Sequence, residues 1–153
     1  MNQLTSSALH LGLSYADCPW MQFAASEARA GVHECPGNAI DPRVQTYLKV
    51  VGFADDAVPW CSAFANWCMQ QAGIKGTGRA AARSWLTWGT ATAACKTGAV
   101  AVFSRGQNPH EGHVGFFVGT QGNDYLVLGG NQRNAVCVRP YAIRNLLSMR
   151  WPS

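Results

Sequence analysis

The sequence predicts a single α+β domain, with helices from the N-terminal half packed on an antiparallel sheet from the C-terminal half. Three observations carry this. Before Gly73 apolar residues recur at helical spacing. After Thr97 they come in short, β-prone runs separated by turn residues. Helices first and strands afterwards is the α+β order, not the alternation of a parallel sheet. The size fits one domain: 153 residues, 48% hydrophobic and 13% charged, can bury a real core and are too apolar for a disordered chain.

In chain order, residues 1–16 read as a loose arm with some apolar content, and 17–153 as the domain. Asp17-Cys18-Pro19 is a helix start, with Pro19 in the first turn. That helix continues through Trp20, Phe23, Ala24 and Glu27 to about Ala30, and Gly31 ends it. Residues 33–40, with Pro36-Gly37, form a turn segment. Asp41-Pro42 opens a second helix whose Val44, Tyr47, Leu48 and Val51 share a face; Gly52 closes it. A loop at 54–58 leads to Pro59-Trp60-Cys61 and a third helix. There Cys61, Phe64, Ala65, Cys68, Met69 and Ala72 follow the i, i+3, i+4, i+7 pattern of one buried face, and Gly73 is the stop. The glycine-rich link 73–78 lacks the Gly-Lys-Ser/Thr of a phosphate loop. A short helix follows at 80–88. Strands are expected at 99–103, 114–118, 125–128 and 136–139, with a last one at 147–151.

Charge excludes some functions. The net charge of +4 comes from scattered basic residues, with no basic and aromatic stripe for nucleic acid. A mildly basic surface suits an anionic polymer such as a cell wall. No apolar run is long enough to cross a bilayer. The first basic residue is Arg29, so no charged n-region precedes the apolar stretch 8–13, and no secretory signal is read. The six cysteines include no Cys-x-x-Cys pair, which argues against structural zinc. With Cys61 set aside, at most two disulfides can form, Cys95 with Cys137 being one pairing open to an oxidising compartment; small buried apolar residues are the alternative.

The chemistry centres on Cys61. The first turn of a helix offers unpaired N–H groups and the positive end of the dipole, which favour thiolate over thiol. A thiolate needs a base and a group to orient the base. Gly112-His113-Val114-Gly115-Phe116-Phe117-Val118 supplies the base. On this strand His113, Gly115 and Phe117 share one face, and small Gly115 would let the cysteine helix approach closely. His110 competes, but lies in the polar loop 107–111. Gly129-Gly130-Asn131-Gln132 supplies the orienter: Asn131 is preferred, with Gln132 and Asn134 as near alternatives and a plain turn asparagine as the other reading. Cys, His, Asn is the papain-like order of roles, and an ion pair or near-ion pair between Cys61 and His113 is expected. Cys68, one heptad along, is assigned to the core.

Pro-Trp-Cys-Ser-Ala-Phe at 59–64, Gly-Thr-Gly at 76–78, Ala-Arg-Ser-Trp-Leu at 82–86, Gly-His-Val-Gly-Phe at 112–116 and Gly-Gly-Asn-Gln at 129–132 resemble the NlpC/P60 and CHAP-like cysteine peptidases. The resemblance is to a compact bacterial and phage branch of peptidoglycan hydrolases and runs from about Pro19 to Pro152. It implies a papain-like NlpC/P60 fold with the catalytic cysteine at a helix N-terminus. It implies Cys61, His113 and Asn131 as catalytic residues, and Trp60, Arg83 and Trp85 as substrate contacts, with Trp85 and Trp88 as packing residues the alternative. It implies no metal or cofactor, and amide bonds of peptidoglycan stem peptides as substrate. The expected setting is an antibacterial type VI secretion effector, made in the cytoplasm without a Sec signal and acting in the periplasm or cell wall, with an immunity protein as partner. A phage or prophage lysin, an idle wall-binding module, and a thiol-redox or acyltransferase protein are the alternatives.

Overall fold

The computed structural model describes residues 15–35, 41–54 and 58–153. Nearly all of the expected N-terminal arm, the Pro36-Gly37 turn and Asp55-Asp56 lie outside the described residues. Among the described residues three helices come first: α1 (Trp20–Arg29), α2 (Pro42–Val50) and α3 (Cys61–Gln71). The Asp41 carboxylate caps α2, accepting from the N–H groups of Arg43 at 2.8 Å and Val44 at 3.2 Å, and Pro42 follows where its missing N–H costs nothing. Where a short helix was expected at 80–88, the chain makes a tighter 3₁₀ segment, Ala82–Thr87.

Six antiparallel strands follow: β1 (Thr90–Ala91), β2 (Val100–Ser104), β3 (Gly112–Gln121), β4 (Asp124–Gln132), β5 (Ala135–Ala142) and β6 (Leu146–Trp151). Their order is β1-β6-β2-β3-β4-β5. The fold is α+β, as the sequence predicts. Strand β1 was not foreseen; two exposed residues carry no periodic signal.

Both faces of the sheet are buried. Val100, Val102, Val114, Phe116, Leu128 and Val138 face the helices and form the main core. Ala99, Ala101, Phe103, Phe117, Val127 and Met149 face the other way and form a second, smaller core. The second core exists because the sheet curls. Strands β2 and β5 are three steps apart, about 14 Å if flat at about 4.8 Å per step. Yet the rings of Phe103 on β2 and Tyr141 on β5 lie 5.2 Å apart. The sheet therefore wraps into a partly closed barrel, with the smaller core inside it.

Helices α1 and α2 close over α3 through a buried carboxylate. Glu27 accepts from the Tyr47 hydroxyl at 2.6 Å and pairs with the Arg43 guanidinium. Burial, then the Glu27 carboxylate, pushes the Tyr47 phenol up, so it stays a neutral donor. Tyr47 also packs against Phe64 and Trp67 of α3.

Candidate active site

Helix α3 is the centre of the molecule, and all of Cys61 through Met69 is buried. One apolar stripe was expected; the opposite side is covered too, by polar groups that satisfy each other. The Asn66 amide donates to Ser62 O at 2.9 Å and Thr77 Oγ1 at 3.2 Å and accepts from the Gly78 N–H at 2.8 Å. Ser62 Oγ donates to Arg79 O at 2.6 Å and accepts from Trp85 Nε1 at 2.9 Å. This network fixes the 76–82 wall against the helix tip. Cys68 lies in the core, fully buried.

Cys61 is the first residue of α3. It borders a cleft of about 440 Å³, with Val58, Ala82, Arg105 and Glu111 among the other walls. Burial pushes its thiol up; the N–H groups of Val114, Ser62 and Cys61 itself, and the charge of Arg105, pull it partly back. The helix-tip stabilisation is present, but burial outweighs it.

His113 follows Gly112 on β3 and is buried inside the curl, its ring stacked on that of Tyr141 at 4.6 Å and 7°. Cys61 reaches the same strand: the N–H of Val114, next in chain to His113, stabilises the cysteine sulfur, and no hydrogen bond joins the thiol to the imidazole among the described residues. Burial lowers the imidazole pKa to about 4, with Gln132 opposing and Arg105 adding to the shift. A raised thiol and a lowered imidazole make the resting pair neutral, in place of the ion pair expected from the sequence. His110 is exposed on the loop before β3.

The group that holds the ring is Gln132, not Asn131. Gln132 Oε1 lies 2.9 Å from His113 Nε2. The Gln132 Nε2 donates to Val127 O at 3.0 Å and Cys137 O at 2.7 Å. Both amide donors face carbonyls, so Oε1 must be the atom facing the ring, and it can only accept. His113 Nε2 therefore carries the proton, and Nδ1 keeps a free lone pair.

Asn131 has another job. It sits at φ 55°, in a break of register between Gly129 and Gln132, and this bulge turns Gln132 inward. Asparagine tolerates the left-handed region better than most residues. The glycines also differ from expectation. A side chain at Gly115 would strike Val127 and crowd the Gln132 amide, so Gly115 makes room for the orienter and not for the helix. The close approach of α3 occurs at Gly130, where an added Cβ would lie 2.6 Å from Phe64 Cβ and 2.8 Å from the Trp60 ring.

A model of the CHAP domain matches residues 53–131, more than half of the chain. The chain belongs to the CHAP domain family. The matched segment contains Cys61, His113 and Asn131; Gln132 lies one residue beyond its end. Among solved structures, a wild-type endolysin, LysIME-EF1, is similar at TM-score 0.48 and 17% identity, over 71% of this chain and 62% of that one. The chain thus spans less than two thirds of that endolysin's length. No curated protein matches.

Of the three expected substrate contacts, the structure buries the two tryptophans and leaves Arg83 at a groove. Trp60 is fully buried, its indole N–H bonded to Glu34 and its ring stacked on Tyr47. Trp85 is fully buried too, held by Ser62 and edge-on to Trp88. Both are packing residues. The Arg83 guanidinium donates to Glu111 O at 2.6 Å and Asn108 O at 3.3 Å, so it braces the loop before His113 and lines a neighbouring groove of about 510 Å³. The Cys95–Cys137 pairing does not form: both thiols are free, Cys95 near the Tyr125 hydroxyl and Cys137 bonded to Gln132 O.

The buried, neutral imidazole sets a pH dependence. Its folded pKa, about 4, lies below the ordinary 6.5, so between these values the unfolded chain binds more protons. Stability from this group is whole above pH 6.5 and drains as pH falls to about 4, by about 3 kcal/mol in all. Urea midpoints should fall across that window. The acid limb of kcat/KM should lie near 4, and a limb near 6.5 would show a solvated base.

Proposed function

We propose that this chain hydrolyses amide bonds in peptidoglycan stem peptides, with Cys61 as nucleophile, His113 as base and Gln132 holding the base. The observation that supports the reading is the fixed direction of the Gln132 hydrogen bonds, which leaves the lone pair of His113 on Nδ1, on a strand whose next residue, Val114, stabilises the Cys61 sulfur through its N–H. A neutral pair works by general base catalysis. The Cys61 proton moves to His113 Nδ1 as sulfur bonds to the amide carbon. The backbone N–H of Cys61, at the tip of α3, contributes to holding the developing oxyanion in this reading. The Nδ1 proton then passes to the leaving nitrogen, the C–N bond breaks, and an amine departs from a thioester. His113 next takes a proton from water, hydroxide adds to the thioester, and the carboxylate product leaves as sulfur regains its proton.

Purified sacculi test this directly. Mass spectrometry of the released muropeptides should show one stem amide replaced by a free amine and a free carboxylate. Added hydroxylamine should divert part of the product to a hydroxamate, as an acyl-enzyme requires. Walls that are bound but not cut would favour a binding module instead.

For the biological setting we propose an antibacterial effector that acts in a rival's periplasm, blocked in its producer by an immunity protein seated over the Cys61 cleft. The same chemistry would serve a phage lysin. A neighbouring gene for a small secreted inhibitor supports the effector; neighbouring genes for holin-type membrane proteins support the lysin.

A further inference from the structure

Among the described residues, the cleft beside Cys61 holds a cation with no partner. Arg105 leaves the end of β2 as Glu111 enters β3, because Ser104 pairs with Gly112 in the register of the two strands. Both residues line the cleft with Cys61. Among the described residues Arg105 makes neither an ion pair nor a side-chain hydrogen bond. Arg83, in the adjoining groove, is already committed to the carbonyls of Glu111 and Asn108.

An unpaired guanidinium here works against the chemistry. Its charge lowers the pKa of His113, and so opposes the imidazolium that must form in the reaction. It also favours charge on the sulfur, but less than the backbone N–H groups of Val114 and Ser62 do. An anion arriving with the substrate would remove the burden on the base. A guanidinium matches a carboxylate in shape, through two parallel N–H···O bonds. Glu111, on the other strand end, would repel a carboxylate and so define which way the substrate lies.

We propose that Arg105 is a specificity residue that seats a substrate carboxylate beside the scissile amide, so that stem peptides with a free carboxylate are cleaved in preference to amidated ones. This rests on the hydrolase reading and names which form of its substrate the site selects.

The test uses muropeptides with free stem carboxylates and the same pool converted to carboxamides with carbodiimide and ammonium. Wild-type kcat/KM should be about tenfold higher on the free-acid pool, the worth of one charge-assisted pair. Arg105→Gln should bring the ratio of the two pools close to one, chiefly by raising KM on the free-acid pool, and Arg105→Lys should restore part of it. Equal wild-type rates on the two pools would overturn the assignment while leaving the hydrolase reading intact. A loss in Arg105→Gln that falls equally on both pools would overturn it too, since Arg105 would then act only through its field on Cys61 and His113. Cleavage of neither pool by the wild type would overturn the hydrolase reading and this inference with it.

Discussion

Cys61→Ala is expected to abolish release of muropeptides from sacculi, a loss of at least about 10⁴-fold, as removal of a nucleophile gives elsewhere. The fold should survive. The thiol is buried but small and lies at a cleft, so its removal should cost only about 1 kcal/mol. Sedimentation with intact sacculi should stay near the wild-type level, because nothing at the cleft walls has changed. Cys68→Ala is the control. It removes the same atoms seven residues further along α3, from a fully buried position. It should lower the urea midpoint and leave kcat near normal. Retained cleavage in Cys61→Ala would defeat the nucleophile assignment, and equal losses in both variants would mean that only folding had been measured. A neutral resting pair adds a finer expectation. Alkylation of Cys61 by iodoacetamide at pH 7 should be slow, and faster as pH rises past the thiol's upshifted pKa.

How far the sequence reveals this site depends on the kind of signal. Caps and stops are local, and they placed the helices well: Asp41 and Pro42 start α2 as read, and Cys61 opens α3. The strands were found because their apolar runs stand between turn residues. Three things were not local. The curl of the sheet buries both faces, so alternation along β3 told which residues share a side but not that His113 lies inside. Trp60 and Trp85 are aromatic residues near the nucleophile, and they look the same in sequence whether they face solvent or core; only packing against Tyr47 and Trp88 separates the cases. The protonation state of Cys61 was inferred from the helix tip, which is visible in the sequence. Burial, which proved larger, is a sum over contacts from residues distant in the chain.

Gln132→Ala is expected to lower kcat on the order of a hundredfold, whereas Asn131→Gly should stay within about threefold of wild type. The two residues are adjacent, and a bulge decides between them. At φ 55° Asn131 gives its backbone to the turn, and glycine supplies that conformation without strain. Gln132 is almost fully buried and ties the His113 ring to two carbonyls. Alanine there orphans one N–H and two C=O groups, each costing about 1–3 kcal/mol if water cannot enter, so Tm should drop as well. Lost stability alone does not prove a role in the reaction, and Gln132→Glu separates the two. A carboxylate there would still accept from His113 Nε2–H and would stabilise the imidazolium that the neutral amide does not. Its second oxygen, facing the carbonyls of Val127 and Cys137 with no proton to donate, lowers Tm. The acid limb of kcat/KM should then move up from near 4 toward the ordinary 6.5. A residue that merely fills space has no means of moving that limb. If Asn131→Gly proved as damaging as Gln132→Ala, or if Gln132→Glu left the limb in place, the ring would have to be held in the working enzyme by some contact other than this one.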